Sequence, residues 1–372
     1  LWRVHKHKLA AGKPTNKPKF GEPPVVNRIW HNAFKALVED NTGEIATMLA
    51  SRANSLTSST NLAALKLAAA YRNIANSIPE AIKVSRRIAT DQLNIPLNGE
   101  FAKRFAMVRG KDAINLKPGS TLSIRVIGPF QKDLDDLRTY WNNWLEDTKN
   151  ENSLKRLNDW LDDNEGALPG PGLGQSIDDE IGKRNKVTTP NLASLMLLLE
   201  EPGDNGGVIR AIMTGDGHHD DVLAGLTHHG RLADGGGLHV DVLKIQHHGS
   251  EHNLNRDFVK RITADHYIFC ANGEHENPDL RILEVLLNSR LGPDDELSGN
   301  PEAGQPFTIW LNCSSHFLKK QIAAREASGK PVSEDLKNAL KHFLLVEQAL
   351  ADAKASSGGR LKLRYLKSKL LE

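Results

Sequence analysis

The chain has 372 residues, 39% hydrophobic and 25% charged, with a formal net charge of +2. That size allows one or two domains with a sizeable core, and the balance reads as a globular protein rather than a disordered or fibrous one. No apolar run approaches the roughly 20 residues of a membrane helix, so no membrane partner is expected, and global charge names no partner.

The N-terminal stretch from Leu1 to Phe20 carries six Lys or Arg and no acid. "VVNRIW" (25–30) predicts a short strand. Composition then turns helical: "NLAALKLAAAYRNIANS" (61–77) has apolar residues at helical spacing, and Pro79 opens a second helix, "EAIKVSRRIATDQL". Residues 33–107 are read as a mainly helical insertion. At "LKPGSTLSIRVIGPF" the signal changes, because Leu122, Ile124 and Val126 alternate as in a half-buried strand and Gly128-Pro129 stops it. Residues 134–163 predict one or two amphipathic helices, and "NEGALPGPGLGQS" a loop.

From residue 190 strands and motifs alternate. Strands are predicted at 194–200, 208–214, 240–245, 266–271 and 307–312, with a hairpin at Gly206-Gly207. Helices are predicted at "LNRDFVKRI", "PDLRILEVLLNSRL" and 333–355, the last opening with a Ser cap and acids in its first turn. Mixed strands and helices place the chain in the α/β (α+β) class, with sheets layered against outer helices. The C-terminal "GGRLKLRYLKSKLL" is purely basic. Basic ends can follow nucleic-acid phosphates, or can simply be solvated tails. Cys270 and Cys313 sit inside apolar runs, which argues against a disulfide framework and for a reducing, cytoplasmic setting. There is no secretory leader pattern, and because the chain begins at Leu1 a preceding segment is expected.

Three predicted strand ends carry metal-type side chains: Asp216 in "IMTGDG", His247 and His248 in "KIQHHGSEHN", and His275 in "NGEHENPD". Sheets deliver strand ends to a common rim, and carboxylate with imidazole suits Zn²⁺ or Mn²⁺. Each piece alone also has a plainer reading. Gly-Asp after a strand is a common turn, and a histidine pair is a polar loop or a hydrogen-bonded pair. His218, His219, His228 and His229, in "GHHDDVLAGLTHHGRLADGGG", are placed in that plainer class, on a helix with flexible ends. The ordered set of strand–GD, strand–HHGS and strand–NGxHxNP is more specific than any member.

That set resembles the last motifs of metallo-β-lactamase-fold hydrolases, the ComEC-like domain of the DNA-uptake competence proteins and its stand-alone bacterial relatives in particular. "TPNLASLMLLLEE" resembles that subgroup's Asn-x-x-Ser strand, "LKPGSTLSIRVIGPF" its preceding segment, and "NRIWHNAF" a segment of the relatives. The resemblance implies an αββα sandwich of two stacked sheets with a two-metal site at its edge. By residue, it makes Asp216 the bridging carboxylate, His248 a ligand of one ion and His275 a ligand of the other. His247 beside it would support the ligands or touch substrate. Neighbours on an extended chain point to opposite faces, so only one histidine of the pair is expected to face the ions. Asn191, Ser194, Ser250 and Asn272 would line the substrate side.

The family's His-x-His-x-Asp-His motif is absent. "HKHK" (5–8) has the histidine spacing but continues Leu9-Ala10, in a segment read as a tail or helix end. Three explanations compete: the motif lies upstream of Leu1, which is favoured; it is lost; or His5 and His7 replace it. The expected organisation is a metallo-β-lactamase-like domain over 1–317 and a helical, basic C-terminal extension over 318–372. The expected function is a metal-dependent hydrolase with two divalent ions, Zn or Mn, acting on a phosphodiester, DNA foremost, through an activated water in which Asp216 and His247 take the catalytic parts. The alternatives are a catalytically incomplete binding or scaffold module that meets a protein partner through helix 333–355, and a hydrolase of an ester, lactone or nucleotide.

Overall fold

The computed structural model describes residues 2–18, 21, 25–32, 87–88, 93–102, 104–147 and 181–365. Helix α1 (Trp2–Ala10) covers the "HKHK" segment. His5 is buried there, with Nδ1 3.3 Å from Thr15 Oγ1, while His7 is exposed. The strand expected at 25–30 reduces to one bridge, Ile29 with Leu97. Side-chain amides replace ladder bonds in this region. Asn98 brackets His31, accepting from its N–H and donating to its carbonyl, both at 2.9 Å, and Asn32 brackets Ala106 at 2.8 Å. Most of the proposed insertion at 33–107 lies outside the described residues. Of the described part, residues 87–88 are helical, whereas 93–102 and 104–107 are loop with a 3-10 turn at Gly99–Phe101, where Asn94, Asn98 and Ala102 all sit at positive φ.

The strands are β1 (Ile114–Asn115) and β2 (Ser123–Gly128). Helix α2 (Gln131–Asp147) follows, the Asp133 carboxylate accepting from the Phe130 N–H at 2.8 Å and Leu134 and Leu137 turned inward. The rest of the predicted 134–163 helix and the Gly/Pro loop at 164–176 lie outside the described residues. A four-residue turn, α3 (Thr189–Leu192), leads into β3 (Met196–Pro202), β4 (Val208–Met213) and α4 (His219–His228). Then come β5 (Leu238–Lys244), α5 (Arg256–Arg261), β6 (Ile262–Phe269), α6 (Leu280–Leu291), β7 (Phe307–Leu311), α7 (Ser315–Ala327), α8 (Glu334–Ser356) and β8 (Leu361–Tyr365).

All eight strands form one sheet in sequence order, antiparallel from β1 to β4 and parallel from β4 to β8. The β3–β4 hairpin turns at the predicted glycines, where Gly203 N–H donates to Gly207 O. Two neighbouring cross-strand rows show how the sheet is layered. Leu198, Ile212, Leu243, Tyr267, Ile309 and Leu363 are in register and belong to the main core. The next row is Leu197, Met213, Lys244, Ile268, Trp310 and Arg364, with Met213 42% and Trp310 39% exposed. Successive residues of a strand point to opposite faces, so helices cover one face while the other is partly open.

The expected boundary near residue 317 is not a boundary in the structure. It falls inside α7, and α8 sends Ala339, Phe343, Val346 and Leu350 into the same core as the sheet. Residues 361–365, read as part of a helical extension, are an edge strand parallel to β7. Leu361 and Leu363 alternate with Lys362 and Arg364, a period of two that a basic-tail reading overlooks. The fold is mixed α/β around an eight-stranded sheet. A second sheet is not among the described residues.

Candidate active site at the strand rim

β4, β5 and β6 run parallel, so their C-terminal ends emerge on one rim, where ligands bind in open α/β sheets. The "TGDG" loop leaves β4 tied to β5, since the buried Thr214 hydroxyl donates to Lys244 O at 2.7 Å. Asp216 N–H donates to Ser194 Oγ at 3.2 Å, which gives Ser194 a positioning role under the loop. The Asp216 carboxylate lies 3.7 Å from Lys244 Nζ, and that ammonium also donates to Gly215 O at 2.5 Å.

The "QHHG" turn after β5 is not extended. His247 (φ 39°) and His248 (φ 62°) are both left-handed, a conformation non-glycine residues rarely adopt. The expectation that neighbours face opposite ways therefore does not apply. What orients them is hydrogen bonding. Asn253 is fully buried; its Nδ2 donates to Asp216 O at 2.9 Å and to Gly217 O at 3.1 Å. Its Oδ1 then faces His247 Nδ1 at 2.9 Å and must accept, so the His247 proton sits on Nδ1. His248 Nδ1 lies 2.5 Å from Cys270 O, which fixes its proton on Nδ1 in the same way. Both rings keep an Nε2 lone pair, with centroids 5.6 Å apart. The Asn191 amide nitrogen is a long 3.5 Å from His247 Nε2. Burial holds the His247 pKa below its ordinary value, against the opposing pull of the Asn253 bond and the Asp216 charge.

Gly249 (φ +88°) lets this loop close on its neighbour, since a Cβ there would lie 2.8 Å from Pro278 and 2.9 Å from Phe269. Ser250 turns the loop inward. Its N–H donates to His247 O, its side chain is buried, and His252 N–H approaches its Oγ at 3.5 Å, so it does not line a substrate surface. Asp279, just before α6, joins the two loops: its N–H donates to Gly249 O and its Oδ2 accepts from Glu251 N–H at 2.7 Å. Burial, with Glu251 and Glu276 nearby, pushes this carboxyl up to about 7.

The structure thus brings together Asn191, Ser194, Asp216, His247 and His248. Asn272 and His275 are exposed on the next loop, His275 at φ 54°. Among the described residues, Asp216, His248 and His275 do not form a group with ligand atoms within 4.8 Å of one another; His218, His219 and Asp220 do. That trio opens α4. His218 Nε2–H donates to Gly182 O at 3.0 Å and its Nδ1 accepts from Asp220 N–H at 3.3 Å, so neither nitrogen is free. His219 lies 3.2 Å from Asp220, and burial lowers its pKa to about 4. A helix N-terminus disfavours cations, whereas the nearby Arg184 is already paired with Asp133 and Asp221. His218 caps the helix, while His219 Nδ1 is buried without a hydrogen-bond partner among the described residues, so this trio could hold a metal ion.

Sequence reading missed Asn253, Lys244 and Asp279. Asn253 stood within the quoted "HHGSEHN", but its tie to the β4 loop arises from tertiary folding. No helix among the described residues is long and apolar enough to cross a membrane. Set against protein-family models, curated proteins and solved structures, the chain matches none.

Proposed function

We propose that this rim is the active site of a metal-assisted hydrolase of phosphodiesters. The observation that supports it most is the common tautomer of His247 and His248. Each donates Nδ1–H to a fixed oxygen, the support that metal-ligating and proton-accepting histidines receive, on the rim that also carries Asp216. The donor chemistry fits one divalent ion of borderline softness, held by Asp216 with a histidine Nε2. Among the described residues the rim gathers no group of three ligand atoms, so even a single-ion centre would need further ligands from outside them.

A bound ion would supply Lewis acidity and a more acidic water. The chain's own residues supply the rest. The lowered His247 pKa keeps Nε2 unprotonated near neutrality, ready to take a proton from the attacking water. Lys244 Nζ, held at the Gly215 carbonyl, offers positive charge to phosphate oxygens as they gain negative charge. Asn191 approaches the same Nε2 and is placed to contact substrate.

Hydrolysis of bis-p-nitrophenyl phosphate, plasmid DNA and a lactone should be compared with Zn²⁺ and Mn²⁺ added, alongside metal analysis of the purified protein. The proposal expects metal-dependent cleavage of a phosphodiester that His247→Ala and Asp216→Ala both abolish. No cleavage of either phosphodiester under any metal would refute it. The Lys244–Asp216 pair favours a second reading, a non-catalytic module in which the ammonium satisfies the carboxylate. That reading expects no bound metal and function intact in Asp216→Ala.

A further inference from the structure

The open-face row that contains Lys244 continues across Ile268 and Trp310 to Arg364 on the edge strand. Trp310 is 39% exposed, a large indole left in water on a strand whose other residues are mostly buried. His266 lies diagonally beside it, its Nδ1 accepting from the indole Nε1–H at 3.3 Å, with the rings edge-to-face at 6.1 Å. This holds the indole in one orientation. Lys362 and Arg364 alternate outward on β8, both exposed, and neither pairs with a carboxylate among the described residues.

We propose that this face binds single-stranded nucleic acid. A base stacks on Trp310, and Arg364 and Lys362 take the flanking phosphates. The row then leads the strand toward Lys244 and Asp216, three strand spacings from Arg364, or about 15 Å. Charge complementarity identifies the occupant: unpaired cations flank an exposed aromatic ring, the combination that follows a phosphate backbone while its unpaired bases stack. Duplex bases, already stacked, cannot use the indole. Basic residues on an edge strand also deter strand pairing, but that role requires no exposed tryptophan on the neighbouring strand. The inference extends the phosphodiesterase reading by naming a polymeric, single-stranded substrate, and it rests on that reading only for the direction of the track.

The test is fluorescence anisotropy with a labelled oligothymidylate of about 15 nucleotides and the matching duplex, in chelator so that nothing is cut. Trp310→Ala should weaken single-strand binding about tenfold and Trp310→Phe should recover most of it. Lys362→Gln with Arg364→Gln, on the exposed side of β8 where folding is not at stake, should weaken binding and lower the salt slope by roughly one to two. Wild-type binding in both the tryptophan-to-alanine and double-glutamine variants, or duplex bound as tightly as single strand, would overturn the proposal; so would no binding at all. Hydrolysis of bis-p-nitrophenyl phosphate reports separately on the rim. Residue-dependent binding without hydrolysis sinks only the hydrolase reading, and hydrolysis without such binding sinks only this one.

Discussion

Asp279 makes the fold's stability depend on pH in a direction opposite to most carboxylates. Its folded pKa is raised from 3.8 to about 7, chiefly by burial. Between those values the folded state binds more protons than the unfolded state, so this group's contribution to stability falls as pH rises. The interval is about three units at about 1.4 kcal/mol each, so the loss is about 4 kcal/mol between pH 4 and 8. Asp279→Asn removes the titration and keeps an oxygen to accept the Glu251 N–H. His219 works against it. Its folded pKa is depressed from 6.5 to about 4, so it costs stability as pH falls through that window. The wild-type curve is therefore flattened by two opposed groups, and the informative quantity is the difference between variant and wild type. Urea denaturation at half-unit steps from pH 4 to 8 should show Asp279→Asn gaining on the wild type with rising pH, by about 4 kcal/mol in total. The variant alone should lose stability in acid more steeply than the wild type. A pH-independent difference would refute the argument that burial of Asp279 outweighs the Glu251 hydrogen bond and the Arg281 charge that favour its carboxylate.

Three further perturbations test the packing and the site. Asn253→Ala strips partners from Asp216 O, Gly217 O and His247 Nδ1, so it should cost about 3 kcal/mol in urea denaturation, and ¹⁵N spectra should show His247 populating the other tautomer. Arg290, fully buried, has no carboxylate partner among the described residues; its guanidinium donates to the carbonyls of Ala264, Glu302, Ala303 and Gln305 and to the Tyr267 hydroxyl, and lies 4.5 Å from the Phe307 ring centroid. Arg290→Lys cannot reach this fan of acceptors, so denaturation should show a loss of about 3–5 kcal/mol. Gly225 sits where α4 crosses β2, and an added Cβ would stand 2.0 Å from Ile127 O. Gly225→Ala should therefore lower the melting temperature by well over the 2–4 °C that about 1 kcal/mol produces in a chain of this size.

The periodic strands were legible because alternation survives without context. The predicted spans at 208–214 and 307–312 differ from the observed strands by one residue at the C-terminal end. The strand at 266–271 begins four residues earlier, since Ile262 to Asp265 pair with β5 although "ITAD" carries little apolar signal of its own. β8 was missed because its lysine and arginine sit in a basic run, while its two leucines show their role only when α8 returns the chain to the sheet edge. The rim motifs were readable as a set, and the parallel strands do carry them to one edge. Their side-chain arrangement was not readable: left-handed turns at His247, His248 and His275 depend on close contacts such as that of Gly249 with Pro278.

The His-His dipeptide occurs three times, and the copies at 218–219 and 247–248 spend their nitrogens differently. At 218–219 the ligand-type atoms are nearest one another, yet His218 spends both nitrogens on Gly182 and Asp220, and its neighbour faces a helix N-terminus that disfavours cations. At 247–248 each ring donates from Nδ1, and His247 Nε2 has only the long Asn191 contact at 3.5 Å. Proximity alone would assign the ion to the cap. Counting donors and acceptors leaves candidate nitrogens at both places, His219 Nδ1 at the cap and the Nε2 atoms at the rim, where Asp216 and Lys244 hold opposite charges side by side. Zinc titration separates the two. His247→Ala should remove tight binding, whereas His219→Ala should leave it unchanged while raising stability in acid relative to the wild type.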